Sequence, residues 1–337
     1  MNTVTKQPVA VLGAGSWGTA LAIQYARAGV PTRLWGRDAD QLKKMAAERI
    51  NQRYLPEGPF PELLTAHTDL ADALDGVEEV LVSVPSHALR DTLRLLAANT
   101  TNKLRVAWAT KGLELATGKL PHEVVAEELG TDGDYAVLSG PTFAKELARG
   151  LPTALTIASK DIAFADDIAQ RISDDNFRAY TSSDMIGVEV GGAIKNVMAI
   201  GAGLSDGLGF GSNTRVAFIT RGLSEMTRFG IAKGARAETF MGLAGMGDLV
   251  LTCTDNQSRN RRMGLALADG KSIKEAEAEI QQVVEGVLAA KAVYAAAQAL
   301  EVEMPITEQI FRIIYEARPP LEAVKSLMQR APGKEFD

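Results

Sequence analysis

The sequence has few of the residues that build disulfides and metal sites. It contains one cysteine, Cys253, and three histidines among 337 residues. One cysteine cannot form an internal disulfide. His67, His87 and His122 have neither the spacing of a metal-ligand pair nor the pattern of a nucleophilic triad, so we expect no metal. If the protein has a side chain that transfers protons, a lysine is therefore a better candidate for it than one of these histidines.

Positive charge and long apolar runs are also scarce. Thirty-six lysines and arginines face 42 acidic residues, which gives a net charge of −6 and a pI near 5.4. This balance argues against nucleic acid or an anionic membrane as a partner. The most apolar stretch, residues 188–208, carries Lys195 in its middle, which predicts a buried helix rather than a membrane span. Residues 1–7 lead into a strand pattern and not into a signal-peptide core, so we expect a cytoplasmic protein.

A glycine-rich turn near the N-terminus is the most informative feature that is present. A buried-strand pattern, Val9–Leu12, runs into Gly-Ala-Gly-Ser-Trp-Gly at residues 13–18 and then into an alanine-rich helical stretch. Gly13 can take a positive φ, Gly15 lets backbone N–H groups reach phosphates, and Gly18 lets the helix pack close to the strand. The positive end of the helix would face the phosphates. The pattern predicts a dinucleotide pyrophosphate site, with a plain strand-to-helix turn as the alternative.

The chain length and the order of strand and helix patterns predict two domains. With 337 residues, the chain exceeds the size at which a single hydrophobic core stops growing. Strand patterns alternate with helical ones up to about Thr181 and predict a doubly wound, Rossmann-type α/β domain over residues 1–182. Strands are expected at residues 9–12, 31–35, 79–84, 105–109, 135–139 and 154–158. The remaining residues, 183–337, have mostly helical patterns and predict an all-α domain.

The residues after the second predicted strand select between the two nicotinamide cofactors. Arg37 occupies the position where a basic residue accommodates the 2′-phosphate of NADP. Asp38 is better placed as the N-cap of the helix at residues 39–49. NADP(H) is therefore favoured, and NAD(H) stays possible because an aspartate can bind a ribose 2′-OH. Arg37 could instead be an ordinary surface cation.

A lysine lies on the helix that is predicted to begin near Met185. One stripe of this helix contains Gly191, Gly192 and Lys195, so it either packs tightly against a neighbour or leaves room for a ligand. Burial lowers the pKa of a lysine, and Lys195 could then protonate a ketone oxygen or accept an alcohol proton. In the alternative interpretation, the lysine reaches out to solvent or pairs with Glu189.

A second cluster of polar residues follows a glycine-rich segment at residues 242–247. Asp248 either caps the next helix or presents a carboxylate. Ser258, Arg259 and Asn260 supply a hydroxyl, a guanidinium and an amide, a combination suited to phosphate. A solvated basic turn is the alternative. If Asp248 lies near Lys195 it raises the lysine pKa and opposes burial, and the sequence leaves that balance open.

Taken together, five segments carry a family resemblance that spans nearly the whole chain. The segments are residues 13–18, 109–114, 139–144, 191–196 and 252–262. With them the sequence resembles the bacterial NAD(P)-dependent glycerol-3-phosphate dehydrogenases. The resemblance implies reduction of dihydroxyacetone phosphate to sn-glycerol 3-phosphate, the precursor of the phospholipid backbone. It also implies a homodimer in which each chain has a Rossmann domain and a 6-phosphogluconate dehydrogenase-like helical domain, with the site in the cleft between them.

The resemblance assigns roles to individual residues. Lys195 becomes the acid–base residue, and the adjacent Asn196 supports it. The cofactor would be held by the glycines of residues 13–18 and by Ser16, Trp17, Arg37, Lys111, Ala144, Arg259, Val283 and Glu285. The phosphorylated substrate would be held by Lys111, Gly140, Thr142, Lys195, Asp248, Ser258, Arg259 and Asn260.

Two other functions fit part of the pattern. A different hydroxyacid dehydrogenase of the 6-phosphogluconate dehydrogenase type would share the nucleotide turn and a lysine-asparagine pair on a helix. A redox sensor would bind NADP(H) without turnover, but the basic recognition helix expected of such a regulator is missing from the sequence.

Overall fold

The structure is a computed structural model that describes residues 6–100 and 104–329. Within these ranges, strands and helices alternate up to Ser182, and every element from Met185 onward is helical. This confirms the predicted fold class, a Rossmann-like domain followed by an all-α domain. Residues 1–5 and 330–337, at the outer ends of the two predicted domains, lie outside the described residues.

Each of the six predicted strands is present and begins and ends within two residues of its predicted position, and the described part of the N-terminal half contains four further strands. The strands are β1 (Val9–Leu12), β2 (Thr32–Trp35), β3 (Ile50–Asn51), β4 (Leu55–Pro59), β5 (Leu64–His67), β6 (Glu79–Val82), β7 (Arg105–Trp108), β8 (Tyr135–Ser139), β9 (Thr153–Ser159) and β10 (Phe177–Ser182). The helices between them are α1 (Ser16–Arg27), α2 (Ala39–Glu48), α3 (Leu70–Leu74), α4 (Ser86–Ala98), α5 (Pro121–Leu129), α6 (Ala144–Ala148) and α7 (Ile162–Ile172).

One sheet organises this domain, with strand order β10-β9-β8-β7-β6-β1-β2-β5. Neighbouring strands from β5 to β8 are parallel, whereas β9 runs antiparallel to β8 and β10 is parallel to β9. Apolar side chains alternate between the two faces, with Val9 and Val11 in one core and Ala10 and Leu12 in the other. The strand order reverses between β1 and β6, and the crevice beyond their carboxyl ends is where ligands bind in such sheets.

The second domain packs around one long buried helix. Its helices are α8 (Met185–Gly207), α9 (Ser212–Ala232), α10 (Asp248–Thr254), α11 (Arg259–Ala268), α12 (Ile273–Ile280), α13 (Glu285–Ala299), α14 (Pro305–Tyr315) and α15 (Pro320–Met328). By length and composition α8 could cross a membrane, but 94% of its most apolar window is buried inside the protein. It is therefore the core helix that the sequence predicts.

Local contacts explain where α8 begins and how closely its neighbours approach. Asp184 caps the helix, because its carboxylate accepts a hydrogen bond of 2.9 Å from the backbone N–H of Gly187. A Cβ added to Gly191 would lie 2.2 Å from the carbonyl oxygen of Ala244. A Cβ on Gly264 would similarly lie 2.0 Å from the carbonyl oxygen of Ile200. Glycine thus lets the segment before α10, and α11 itself, lie directly on α8.

Candidate active site

The glycine turn of residues 13–18 has the geometry of a phosphate cradle. Gly13 has a φ of +125°, and a Cβ there would lie 2.2 Å from the carbonyl oxygen of Ser83. A Cβ on Gly18 would lie 1.9 Å from the oxygen of Gly13, so helix and turn pack without a gap. A Cβ on Gly15 would meet nothing within 4 Å. The N-terminus of α1 therefore opens onto free space, and Gly15 as its N-cap offers no side chain to its N–H groups.

Polar side chains at the start of α1 fit a bound dinucleotide. The Ser16 hydroxyl donates to the carbonyl oxygen of Tyr54 at 2.9 Å. Trp17 Nε1 is buried, and within the described part of the chain no protein group accepts its hydrogen. A buried N–H without a partner costs free energy, so this donor is available to a ligand or a water molecule. Cradle and donor together fit a nucleotide cofactor.

The end of β2 shows different surroundings for Arg37 and Asp38, the two residues that the sequence offers for selecting the cofactor. Asp38 caps α2 as predicted, since its carboxylate accepts from the backbone N–H of Gln41 at 3.0 Å. It also lies 3.7 Å from a guanidinium nitrogen of Arg53. Arg37 is exposed beside it, and the preceding Gly36 packs against Ala14 of the glycine turn. A basic, exposed residue therefore directly follows the glycine that packs against the phosphate cradle.

The loop after β6 connects this turn to a second group of polar residues. Ser83 packs against Gly13, as described above, and also against Gly18, where an added Cβ would lie 3.2 Å from the Ser83 Cβ. One residue further, the carbonyl oxygen of Val84 accepts a hydrogen bond of 2.7 Å from the Thr110 hydroxyl. Thr110 precedes Lys111, so the glycine turn and the lysine lie on either side of this one loop, at the predicted crevice.

Four side chains, which we name the lysine cluster, meet at a buried carboxylate: Lys111, Lys195, Asp248 and Thr252. Lys195 Nζ is 2.5 Å from Asp248 Oδ1 and 3.1 Å from Thr252 Oγ1. Lys111 Nζ is 2.7 Å from Asp248 Oδ2 and 3.5 Å from the carbonyl oxygen of Gly140. Asp248 is fully buried and Lys195 is 7% exposed. One carboxylate thus orients two ammonium groups, one from each domain.

Packing against α8 explains how Asp248 reaches Lys195. Residues 243–247 form a π-helical turn that leads into α10, and Gly191 lets this turn lie on α8. Asp248 is the first residue of α10 and presents its carboxylate inward, which is the second of the two predicted alternatives. The pairing of Lys195 with Glu189 is wrong, because Glu189 instead accepts from Trp108 and His122.

Burial decides the open question of the lysine pKa. Removal from water lowers the pKa of Lys195 to about 8, and the neighbouring Lys111 ammonium acts in the same direction. Asp248 raises that pKa but does not offset burial. Lys195 can therefore gain and lose a proton near neutral pH, as a general acid and base must.

A second layer of hydrogen bonds supports the residue after Lys195. Asn260 Nδ2 donates to Asn196 Oδ1 at 2.9 Å, and Asn260 Oδ1 accepts from the backbone N–H of Gly286 at 2.9 Å. These bonds join α8, α11 and the start of α13. Ser258 is the N-cap of α11, its hydroxyl accepting from the N–H of Arg261 at 3.2 Å. The amide and the hydroxyl therefore already have structural partners.

Glu285, at the start of α13, lies within electrostatic range of basic residues from both domains. Burial raises the pKa of its carboxyl, while Arg259, Lys111, Lys195 and His87 act to lower it. The cations of both domains are thus close enough to influence a single carboxylate at the start of α13.

The other predicted residues lie after β8 or just before α13. The Thr142 hydroxyl donates to the carbonyl oxygen of Gly140 at 3.3 Å, and Ala144 begins α6. Val283 is 48% exposed, just before α13. The structure thus groups the predicted residues into the glycine turn with Arg37, the lysine cluster with Gly140, and the supporting layer around Asn260.

Two polar residues of the site were not predicted. Thr252 lies four residues after Asp248 on α10, so helical spacing could have indicated it. Ser139 ends β8, and its buried hydroxyl has no protein partner in residues 6–100 and 104–329. A Cβ on Gly192 would lie 3.1 Å from this hydroxyl and 3.3 Å from Cγ of Lys111. No pattern in the sequence brings Ser139 to α8.

Comparison with known proteins identifies the family. Residues 8–165 match the family model described as the NAD-dependent glycerol-3-phosphate dehydrogenase N-terminus, and residues 184–325 match the model for its C-terminus. The chain is 54% identical over 336 residues to glycerol-3-phosphate dehydrogenase [NAD(P)+] of Haemophilus ducreyi, covering 99% of this chain and 100% of that one. It is 55% identical to the enzyme of that name from Nitrosococcus oceani, covering 97% and 95%.

A solved structure has the same fold over its whole length. The crystal structure of glycerol-3-phosphate dehydrogenase from Coxiella burnetii superposes with a TM-score of 0.93 at 50% identity, covering 97% of this chain and 100% of that chain. The glycine turn lies within the part of the chain that matches the N-terminal model, and Lys195, Asp248 and Thr252 of the lysine cluster lie within the part that matches the C-terminal model. The chain therefore belongs to the NAD-dependent glycerol-3-phosphate dehydrogenase family and is an NAD(P)-dependent oxidoreductase.

Proposed function

We propose that this protein catalyses the reversible NAD(P)H-dependent reduction of dihydroxyacetone phosphate to sn-glycerol 3-phosphate. The observation that carries the proposal is the lysine cluster, in which a buried Lys195 Nζ lies 2.5 Å from Asp248 in the cleft between the two domains. A ketone reduction needs a hydride and a proton delivered to opposite ends of one C=O bond. The cofactor, when bound, supplies the hydride, and Lys195 supplies the proton.

The proton transfer uses the tuned pKa of Lys195. In the reduction, the ammonium donates from Nζ to the ketone oxygen; in the reverse direction, the neutral amine accepts the alcohol proton. Asp248 keeps Nζ aimed into the cleft, and Thr252 gives it a second partner at 3.1 Å. The buried position of both groups excludes bulk water from the transfer. Asn196 acts through its bond to Asn260, which fixes α8 against α11.

Substrate binding follows from the local charge of the cleft. The chain is acidic overall, with a net charge of −6, so an anionic substrate needs a local excess of cations. Lys111 and Lys195 share the single Asp248 carboxylate, which leaves a positive surplus, and Arg259 adds to it at the N-terminus of α11. We assign the phosphate to this helix end, where Ser258 can still donate its hydroxyl hydrogen. Gly140, whose carbonyl oxygen lies 3.5 Å from Lys111 Nζ, and Thr142 complete the proposed substrate site.

The cofactor is assigned to the glycine turn, with NADP(H) preferred over NAD(H). Gly13, Gly15 and Gly18 leave space for the pyrophosphate at the N-terminus of α1. Ser16, Trp17, Ala144, Val283 and Glu285 complete its surroundings, together with Lys111 and Arg259. The preference is supported by the end of β2, since Asp38 is engaged with Gln41 and Arg53 while Arg37 stays exposed beside the turn.

The resemblance to the family supports three further assignments. The boundary between the domains is proposed at residues 182 and 183, since β10 ends at Ser182 and α8 begins at Met185. The protein is proposed to be a homodimer, which size-exclusion chromatography with light scattering tests. It is proposed to act in the cytoplasm, where its product would supply phospholipid synthesis.

The activity is tested by the loss of absorbance at 340 nm when NADPH and dihydroxyacetone phosphate are mixed with the purified protein. NADH in place of NADPH, and dihydroxyacetone without its phosphate, are the parallel controls. We expect rapid oxidation of NADPH only with the phosphorylated ketone. Binding of NADPH without oxidation would favour the hydroxyacid dehydrogenase or sensor alternatives.

A further inference from the structure

A buried carboxylate outside the lysine cluster joins the two domains. The side chain of Glu189, on α8, is fully buried. It accepts a hydrogen bond of 2.9 Å from Trp108 Nε1 and one of 2.8 Å from the backbone N–H of His122. Its second oxygen lies 2.5 Å from His122 Nδ1. Both partners belong to the Rossmann-like domain, so one side chain of the helical domain collects three hydrogen bonds from the other domain.

Hydrogen bonds and charge stabilise this buried carboxylate. Burial raises the pKa of Glu189, while the donors from His122 and Trp108 lower it. Burial alone would lower the pKa of His122, but the hydrogen bond and the attraction to Glu189 raise it above its usual value. A buried carboxylate without such partners would be costly. The three donors therefore fix Glu189 in one position relative to β7 and α5.

The position of these bonds along the chain relates them to the lysine cluster. Trp108 is the last residue of β7, three residues before Lys111. Glu189 lies six residues before Lys195 on α8, which is about 9 Å along the helix axis. Lys111 then returns to the helical domain through Asp248 at 2.7 Å. The segment 108–111 is thus tied to the helical domain at both ends.

We propose that Glu189 is a positioning residue: by holding Trp108 against α8, it fixes where Lys111 stands relative to Lys195 and the substrate. The proposal rests on the proposed function of the two lysines. Glu189 itself touches neither Lys111 nor Lys195 in the contacts described, and it takes no part in the proton transfer. If instead these bonds served stability alone, their loss would lower the melting temperature without depending on Lys111.

A double-mutant cycle separates positioning from stability. Trp108→Phe keeps most of the ring and removes the Nε1 donor. Tyr135→Phe is the matched control, because its ring lies 6.5 Å from Trp108 and its hydroxyl donates at 3.1 Å to Leu129 within the same domain. The value of kcat/KM for dihydroxyacetone phosphate at saturating NADPH is measured for each change in the wild type and in Lys111→Ala. For variants with slow turnover, the same double-mutant cycle is measured from the Kd of glycerol 3-phosphate for the enzyme–NADPH complex, which cannot react because both ligands are already reduced.

We expect Trp108→Phe to lower kcat/KM about tenfold in the wild type, as for a displaced binding group. In Lys111→Ala the same change should cost less than about twofold, because contacts that act through one residue are not additive. Tyr135→Phe should change neither background by more than about twofold. Trp108→Phe should leave the Kd of NADPH unchanged, whether it is made in the wild type or in Lys111→Ala.

An equal loss in both backgrounds, or no loss in the wild type, would overturn the proposal and leave the role of Lys111 intact. A wild-type rate in Lys111→Ala itself would instead remove Lys111 from the proposed function, and the positioning role with it. Circular dichroism reports whether each variant folds. If Trp108→Phe does not, Glu189→Gln takes its place in the cycle, with the same outcomes.

Discussion

The glycine turn is made from residues that are neighbours in sequence, whereas the lysine cluster is assembled from distant segments. All of the turn lies within residues 13–18, and its conformation is set by contacts that include Ser83 of the adjacent strand end. In the cluster, Lys111 and Asp248 are 137 residues apart, and Lys195 and Asp248 are 53 apart. The cofactor region is therefore a local motif, while the proton-transfer region depends on how the two domains pack.

The two regions also differ in what holds the charged or polar groups. In the glycine turn, the backbone N–H groups at the start of α1 have no side-chain cap and face open space, so they can donate to a ligand. In the lysine cluster, ammonium groups are already paired with a buried carboxylate. Changes in the turn should consequently affect cofactor binding, and changes in the cluster should affect turnover. The following variants test this division.

The largest effect is expected for Lys195→Ala. Removal of the proton donor should lower kcat about 10³-fold, within the range of general acid–base catalysis, and leave the Kd of NADPH nearly unchanged. Steady-state rates at 340 nm and NADPH fluorescence titration measure the two quantities. Lys291→Ala, an exposed lysine of the same domain, is the control. Near-normal turnover of Lys195→Ala would remove this residue from the mechanism.

Gly191→Ala should break the cluster without touching any of its side chains. The added Cβ would lie 2.2 Å from the backbone oxygen of Ala244, so the turn before Asp248 must move away from α8. We expect kcat to fall about 10²-fold, as for a displacement of about 1 Å, and the free energy of unfolding to fall by about 1–3 kcal/mol. Gly247→Ala, whose Cβ meets nothing closer than 3.5 Å, should change both much less. Equal effects of the two variants would contradict the packing explanation.

The smallest change is expected for Arg37→Ala, and it should affect binding alone. Loss of a charge-assisted hydrogen bond to the 2′-phosphate should weaken NADPH binding about tenfold. Binding of NADH, which lacks that phosphate, and kcat at saturating NADPH should stay the same. Titration with each cofactor gives the ratio of the Kd of NADH to the Kd of NADPH. Arg53→Ala, a change at a nearby surface arginine, is the control. Parallel losses for both cofactors would mean that Arg37 does not select between them.

The sequence predicts the local features of this molecule better than the assembled ones. The glycine turn, the Asp38 cap and the buried helix α8 were expected because each depends on a spacing that the chain itself displays. Four strands were not predicted. β3 and β4 form a separate two-stranded sheet, and β5 and β10 are the edge strands of the main sheet; β10 carries exposed Arg178 and Tyr180 and shows no apolar run. The antiparallel direction of β9 likewise depends on its pairing with β8.

The lysine cluster shows where sequence reasoning ends. Lys195 was a candidate from its helix, and Asp248 from its glycine-rich segment, but no pattern indicates that they touch. Their contact requires the close packing at Gly191, and the partner of Glu189 depends on how the domains meet. The balance between burial and Asp248 in the pKa of Lys195 could be decided only once both distances and burial were known.

The pH dependence of glycerol 3-phosphate oxidation tests the role of Lys195 most directly. In this direction Nζ must be neutral to accept the alcohol proton, and its pKa is about 8. Below that pH the neutral fraction rises about tenfold per pH unit, so kcat should increase towards a plateau above pH 8. Asp248→Asn removes the charge that raises this pKa and should move the rise to lower pH. A rate that falls steadily from pH 7 to pH 9, in protein shown to stay folded, would contradict Lys195 as the proton acceptor.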